Sequence, residues 1–307
     1  MTEAGVIAIR SVELDVADVK VAAAFYREVW ALEQLVHDRD AHQFRATGPE
    51  HHVLTLRQAA KPGLRALQFA ARDAAAVRSL QAKAQAAGVV IELPAAPLLP
   101  AAGGGYGFTL RSPDGLDVVV SSDVGRHADE LRDRSRPKNL THVVLNSADV
   151  AAQVAFFREV LGFRLSDTTA RMVFMRCGAD HHSLAIAKGE GLSLNHASFE
   201  MPDFDGLMRG CGRLVRAGHA IEWGVGRHGP GNNVFAYFID TDGFAVEYTT
   251  GMEQIDEAEH VPGTADYWTN FPMRPCRWGL ARKPSESIEH AFSGRLKAQG
   301  NTGQGKL

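Results

Sequence analysis

The polar and apolar positions of this chain fall into short blocks closed by Gly, Asp or Asn. The clearest block is the apolar run Val234–Ile239, which reads as a strand. A loop rich in Gly and Asn, Gly226-Arg227-His228-Gly229-Pro230-Gly231-Asn232-Asn233, leads into it. Asp240-Thr241-Asp242-Gly243 follows as a hairpin turn, and residues 244–249 read as the returning strand. Glu247 breaks the pattern of that strand. Flanked by Val246 and Tyr248, an unpaired carboxylate would be costly to bury, so Glu247 must face solvent, pair with a cation or bind a metal.

The pattern occurs twice. Val12-Glu13-Leu14-Asp15-Val16-Ala17-Asp18-Val19 and Ala24-Phe25-Tyr26-Arg27-Glu28-Val29-Trp30 return 131 residues later as Val143-Val144-Leu145-Asn146-Ser147-Ala148-Asp149-Val150 and Ala155-Phe156-Phe157-Arg158-Glu159-Val160-Leu161. Each copy reads as a strand followed by a helix with apolar residues at helical spacing. Ser147 or Asp149 can cap the second copy's helix, and Gly162 suits the left-handed position after its end. Leu64-Arg65-Ala66-Leu67-Gln68-Phe69 likewise matches Leu194-Asn195-His196-Ala197-Ser198-Phe199, and Ser112-Pro113-Asp114-Gly115 matches Asp240-Thr241-Asp242-Gly243. The spacing predicts an α+β chain of two tandem domains, residues 1–131 and 136–260, each built from two strand–helix–strands modules. The charged stretch from Arg132 to Lys138 joins them. A parallel doubly wound sheet is disfavoured, since no Gly-rich phosphate loop follows the first strand. The tail, 261–307, breaks the repeat: Trp268, Phe271, Pro275 and Trp278 are expected to pack on the body, and 294–307 to be disordered.

Two copies of one fold share packing needs, so polar residues found in only one copy point to function. His142 stands where the first copy has Ser11, His196 where it has Ala66, and Glu247 where it has Val119. Two imidazoles and a carboxylate form a 2-His-1-carboxylate set, a natural ligand set for a divalent first-row metal with open coordination positions. The His181-His182 pair differs, because His51-His52 matches it in the first copy; alternation along 183–187 puts the two imidazoles on opposite faces, so one of them can face the site. The organising loop and strand add His228 and Tyr237, the latter opposite Thr109. His219, opposite Val89 in a helix-to-strand connection, reads as a surface residue.

Composition narrows the class. The 307 residues are 45% apolar and 22% charged with a net charge of −3, which gives no electrostatic case for a nucleic-acid partner. No apolar run approaches the ~18 residues of a membrane span. The N-terminal residues lack the basic and apolar regions of a signal peptide. Cys177, Cys211 and Cys276 are too few and too scattered for a disulfide framework or a CxxC metal site. A cytoplasmic protein is expected.

Taken together, these residues resemble the type I extradiol ring-cleaving dioxygenases of the vicinal oxygen chelate (glyoxalase/bleomycin resistance/dioxygenase) superfamily, over residues ~8–255. The family signature reads here as Gly226-Arg227-His228, then Tyr237, Asp240, Gly243 and Glu247, with Ala236 in place of a large apolar residue and Thr241 in place of Pro. The resemblance implies paired βαβββ modules with mixed sheets curled into a barrel-like cup, and a first half that has lost its metal. It implies that His142, His196 and Glu247 ligate Fe(II), or Mn(II) in some members. It further implies that His182 serves as acid/base and that His228 and Tyr237 hydrogen-bond a bound catechol. The implied reaction is extradiol cleavage of a catechol-type aromatic diol by O2 to a muconic semialdehyde-type product in aromatic catabolism. Phe174, Phe199, Trp223, the loop 229–233 and the tail are expected to line the substrate pocket, and the small residues of that loop hint at room for a larger aryl substituent. A homo-oligomer is expected. Three other readings stay open at this point: a metal-dependent glyoxalase- or epimerase-like isomerase, a metal-free ligand-sequestering binding protein, and a hydroxyphenylpyruvate-type dioxygenase.

Overall fold

Two eight-stranded mixed sheets, one per half of the repeat, carry the fold in this computed structural model. It describes residues 5–37, 41–128, 133–272 and 276–296. The expected domain end at 131, Arg132 of the joint, Pro275 and tail residues 297–307 lie outside the described residues.

The first sheet takes β1 (Ala8–Val16), β2 (Glu33–His37), β3 (Ala41–Arg45) and β4 (Leu54–Gln58) from one module. It takes β5 (Gly63–Ala70), β6 (Ile91–Pro97), β7 (Tyr106–Arg111) and β8 (Asp117–Ser122) from the next. Helices α1 (Val19–Ala24) and α2 (Ala74–Ala86) follow the first strand of each module. The second sheet repeats this with β9 (Asn139–Ser147), α3 (Val150–Ala155), β10 (Arg164–Thr168), β11 (Met172–Arg176) and β12 (Leu184–Lys188). Its second module comprises β13 (Ser193–Glu200), α4 (Phe204–Arg216), β14 (Trp223–Arg227), β15 (Val234–Ile239) and β16 (Ala245–Thr250). Strand order is β2-β3-β4-β1-β5-β8-β7-β6 in one sheet and β10-β11-β12-β9-β13-β16-β15-β14 in the other. The α+β class and the module order are those the sequence predicts. Among the described residues, however, the terminal strands of each sheet do not pair with each other, so the sheets curl without closing into a barrel.

Local chemistry sets the helix starts. Asp18, Asp73, Asp149 and Asp203 cap α1, α2, α3 and α4, each carboxylate accepting from backbone amides of the first turn, an interaction that contributes about 1 kcal/mol per helix. Of the two candidates before α3, Asp149 is the cap, while Ser147 Oγ accepts from the Asp149 amide. Gly162, at φ 79°, takes the left-handed turn beyond that helix.

One apolar core runs through both halves. Trp30, fully buried, stacks on Tyr248 with ring centroids 3.9 Å apart and meets Phe199 edge-on at 5.7 Å. Tyr248 donates to the Trp30 carbonyl at 2.6 Å, and Tyr26 donates to Asp240 Oδ2 at 2.8 Å. Asp240 also holds the hairpin turn, its Oδ1 accepting from the amides of Asp242, Gly243 and Phe244. The turn therefore does not need the proline that Thr241 replaces.

Phe199 corrects an expectation. It lies in this core, three positions from His196, and an odd separation along a strand turns the side chain to the opposite face. It does not line the pocket.

Beyond the sheets, the chain packs back at several points, with α5 (Ala265–Asn270) and α6 (Glu286–Phe292) as its ordered elements. Leu296 also packs against the core, so the disorder expected from residue 294 does not begin there. Among the described residues no helix is long and apolar enough to cross a membrane.

In the first half His52 is buried beside His51, their Nδ1 atoms 3.0 Å apart. Burial, reinforced by His51 and Arg10, lowers its pKa to about 4. An unfolded histidine titrates near ~6.5, so between those values the unfolded chain binds the extra proton. The stability held by neutral His52 is complete above the upper value and is lost as pH falls through the window. His52→Gln is expected to flatten this part of the profile, measured as urea midpoints between pH 4 and 7. An unchanged slope would assign the acid sensitivity to other groups.

Candidate metal centre and active site

Strand register alone assembles most of the site. Trp223 pairs with Tyr237, Tyr237 with Glu247, Glu247 with Ser198, and Ser198 with His142, a row across β14, β15, β16, β13 and β9. Directly opposed residues share a face, so these side chains look into one concavity. His196, two positions from Ser198 on β13, joins them. The first sheet has the same row as Leu93, Thr109, Val119, Gln68 and Ser11. The fold thus presents the same places twice and carries side chains able to hold a metal in one of them.

His142, His196 and Glu247 offer three ligand atoms within 4.8 Å of one another, all three residues being buried. Glu247 Oε2 lies 3.1 Å from His142 Nε2 and 3.5 Å from His196 Nε2. Yet this oxygen, on a fully buried residue, has no hydrogen-bond partner. A buried carboxylate oxygen left unbonded between two imidazoles is costly unless a cation completes it. The donor set, two neutral nitrogens and one carboxylate, fits a divalent first-row metal. The other oxygen, Oε1, accepts from Asn233 Nδ2 at 3.4 Å, and that amide also donates to Thr249 Oγ1 at 2.7 Å. Burial would raise the Glu247 carboxyl, but the adjacent His142 and the further imidazoles outweigh it and hold its pKa low. Burial lowers His196 to about 3 against the opposing pull of Glu247.

His182 faces the same concavity, its ring 4.3 Å from that of His142. His181 points away and binds Asp167 Oδ2 through Nε2 at 3.0 Å, as expected of neighbours on opposite faces. The two rings still touch, Nδ1 to Nδ1, at 3.1 Å. On the far side His228 Nε2 lies 3.0 Å from the Tyr237 hydroxyl. Burial lowers His228 to about 4 and, with the Glu247 charge, raises the Tyr237 phenol. His219 stands apart from the site and is not the surface residue expected: it is half-buried against the Phe25 ring of the first half.

These groups open onto a cavity of about 170 Å³. Its polar lining is His142, His182, His196, His228, Tyr237 and Asn195. The apolar walls are Val144, Met172, Phe174, Trp223, Pro230 and Phe292. The structure thus brings together His142, His196, Glu247, His182, His228, Tyr237, Phe174 and Trp223, and leaves out Phe199. The loop 229–233 and the tail, expected at the pocket, supply Pro230 and Phe292 to its lining and Asn233 to Glu247, while Asn195, Met172 and Val144 were not anticipated. Asn195 and Asn233 each adjoin a stretch already singled out, whereas Phe292 arrives on α6 from far along the chain.

The family model of the Glyoxalase/Bleomycin resistance protein/Dioxygenase superfamily matches residues 139–248, the part that carries the whole ligand set. The crystal structure of the Mn(II)-bound glyoxalase from Novosphingobium aromaticivorans is 39% identical, with a TM-score of 0.84 over 92% of this chain and 94% of that one. The chain belongs to this superfamily. Metapyrocatechase 2 of Cupriavidus necator is 30% identical over 155 residues, 50% of this chain and 48% of that enzyme. The 3-methylcatechol 2,3-dioxygenase of Pseudomonas putida is 31% identical over 128 residues, 38% of this chain and 44% of that enzyme. The chain spans about half the length of these two relatives in the match. They bear out the likeness to extradiol dioxygenases read from the motif.

Proposed function

We propose that the chain is an extradiol dioxygenase that cleaves a catechol-type diol with O2, using Fe(II) held by His142, His196 and Glu247. The observation that carries this reading is that His142 and His196, gathered with Glu247 into one ligand set, line a single cavity together with His182 and the His228–Tyr237 pair. Fe(II) held by His142, His196 and Glu247 would supply a site for the diol and O2 and the electrons that pass between them. The side chains do the rest. Tyr237 and His228 hydrogen-bond the diol oxygens and fix the ring's orientation. His182 holds or moves a proton from the other side of the cavity. Phe174, Met172, Trp223 and Phe292 cover the faces of the aromatic ring and exclude water. The ring carbon–carbon bond beside the diol breaks, O2 is reduced and both of its atoms enter a muconic semialdehyde-type product.

Oxygen uptake by anaerobically Fe(II)-loaded protein, offered a panel of catechols, tests the reading. Uptake with a yellow ring-fission product is the expected result, and no uptake with any diol while one metal stays bound would reject it. One observation favours a second reading, a Mn(II)-dependent isomerase: the full-length match to a structure described as a Mn(II)-bound glyoxalase. That reading predicts turnover of a 2-oxoaldehyde–thiol adduct with Mn(II) and no oxygen consumption.

Gly231 provides a further test. At φ 77° it occupies a conformation unfavourable to L side chains, and an added Cβ would lie 2.9 Å from His182 Cε1. Gly231→Ala is expected to keep bound metal but lower turnover by displacing the imidazole, read from metal content and kcat on the same sample. Wild-type kcat would show that the loop does not constrain His182.

A further inference from the structure

Asn146 and Asn195 occupy a place where the first sheet carries charge. There Arg65 Nε donates to Asp15 Oδ1 at 2.7 Å, with the two side chains 44% and 20% exposed. In the second sheet the matching residues are neutral amides, buried, and Asn195 Nδ2 donates to Asn146 Oδ1 at 3.1 Å. Helix α6 covers them. The Phe292 carbonyl at its end accepts from Asn146 Nδ2 at 2.8 Å and from Asn195 Nδ2 at 2.9 Å. An arginine–aspartate pair cannot make this arrangement, because it also needs an acceptor on the residue next to His196, and arginine has none.

That acceptor is Asn195 Oδ1, 2.9 Å from His196 Nδ1. Since Nδ2 of Asn195 serves two carbonyl-type oxygens, the network fixes the amide's orientation. His196 Nδ1 must then be the donor, and Nε2, the nitrogen facing Glu247, keeps its lone pair for a metal. The corresponding Nδ1 of His142 is buried with no partner. The two imidazoles of the ligand set are therefore held differently, and the held one is tied through a single side chain to the helix that carries the pocket wall Phe292.

We propose that Asn195 is a positioning residue that couples the seating of α6 to the orientation of His196. Metal binding steadies α6, and a seated α6 strengthens metal binding by the same factor, as linkage requires. The inference rests on His196 as a metal ligand, not on the reaction catalysed.

The test adds Mn(II) to metal-free full chain, follows its affinity by titration, and reads hydrogen exchange of residues 286–292 by mass spectrometry. In the wild type, Mn(II) is expected to increase protection of that segment. Asn195→Ala should weaken Mn(II) by about 10- to 100-fold and remove the metal-dependent protection. Asn195→Asp can still accept from His196 but cannot donate to the Phe292 carbonyl, so it should lose the protection and, by linkage, only the helix's share of the Mn(II) affinity, a smaller loss than in Asn195→Ala. A merely structural role would weaken Mn(II) equally in both variants, and that result overturns the proposal. So does wild-type Mn(II) affinity in Asn195→Ala. Failure of the wild type to bind Mn(II) would overturn the metal reading along with it.

Discussion

Glu247→Ala is expected to abolish metal retention, as are His142→Ala and His196→Ala, each lowering affinity by at least about 100-fold. Loss of a group that merely orients a ligand already costs up to about that much, and these residues supply the ligand atoms themselves. The three variants should differ in how the metal-free chain responds. Removing Glu247 leaves two buried imidazoles that lose a nearby carboxylate and strands no buried carboxylate. Removing His142 leaves the Glu247 carboxylate, whose low pKa depends first among its favourable contacts on His142, fully buried with less support. His142→Ala should therefore be the less stable metal-free protein. Metal content after desalting checks the first expectation and urea midpoints check the second. Full metal occupancy in any one variant would remove that residue from the set.

Much of this site was legible because the chain contains its own control. Ser11, Ala66 and Val119 show what the fold needs at three positions, so His142, His196 and Glu247 stood out without any structure. The strand register repays that logic, since both sheets present the same cross-strand row. Phe199 could have been excluded by counting, because its odd separation from His196 puts it on the other face. The Asn146–Asn195 pair was also visible in principle, as a neutral replacement of Asp15 and Arg65.

Other features were not legible. The tail was expected at the pocket, but not which of its residues: Phe292 reaches the cavity because α6 docks across 97 residues of sequence from Asn195, and no local pattern encodes where such a helix will land. Whether the sheets close depends on how their terminal strands are placed, which apolar alternation along single strands does not determine.

His182→Gln is expected to keep the metal and lose turnover by about 10²- to 10⁴-fold, the usual contribution of a positioned proton-transfer group. The hydrogen-bond chain behind His182 explains why. The Asp167 carboxylate accepts from His181 Nε2, and in the form of the pair with a single proton on His181 its Nδ1 is bare. His182 must then donate from its own Nδ1 across the 3.1 Å contact, which leaves its Nε2 lone pair free to accept a proton. In the first sheet the His51–His52 contact persists at 3.0 Å, but Val36 holds the register position of Asp167. Among the described residues, the anchored form of the pair is seen in the half that carries the ligand set. Glutamine preserves much of the shape and the hydrogen-bonding capacity of His182 and cannot cycle a proton, so kcat should fall while KM and metal content stay near wild type. His181→Ala should produce a smaller loss of kcat in the same direction, because it frees the His182 tautomer without removing the imidazole. Near-normal kcat in His182→Gln would reassign proton transfer to His228, which reaches the cavity from the opposite wall beside Tyr237.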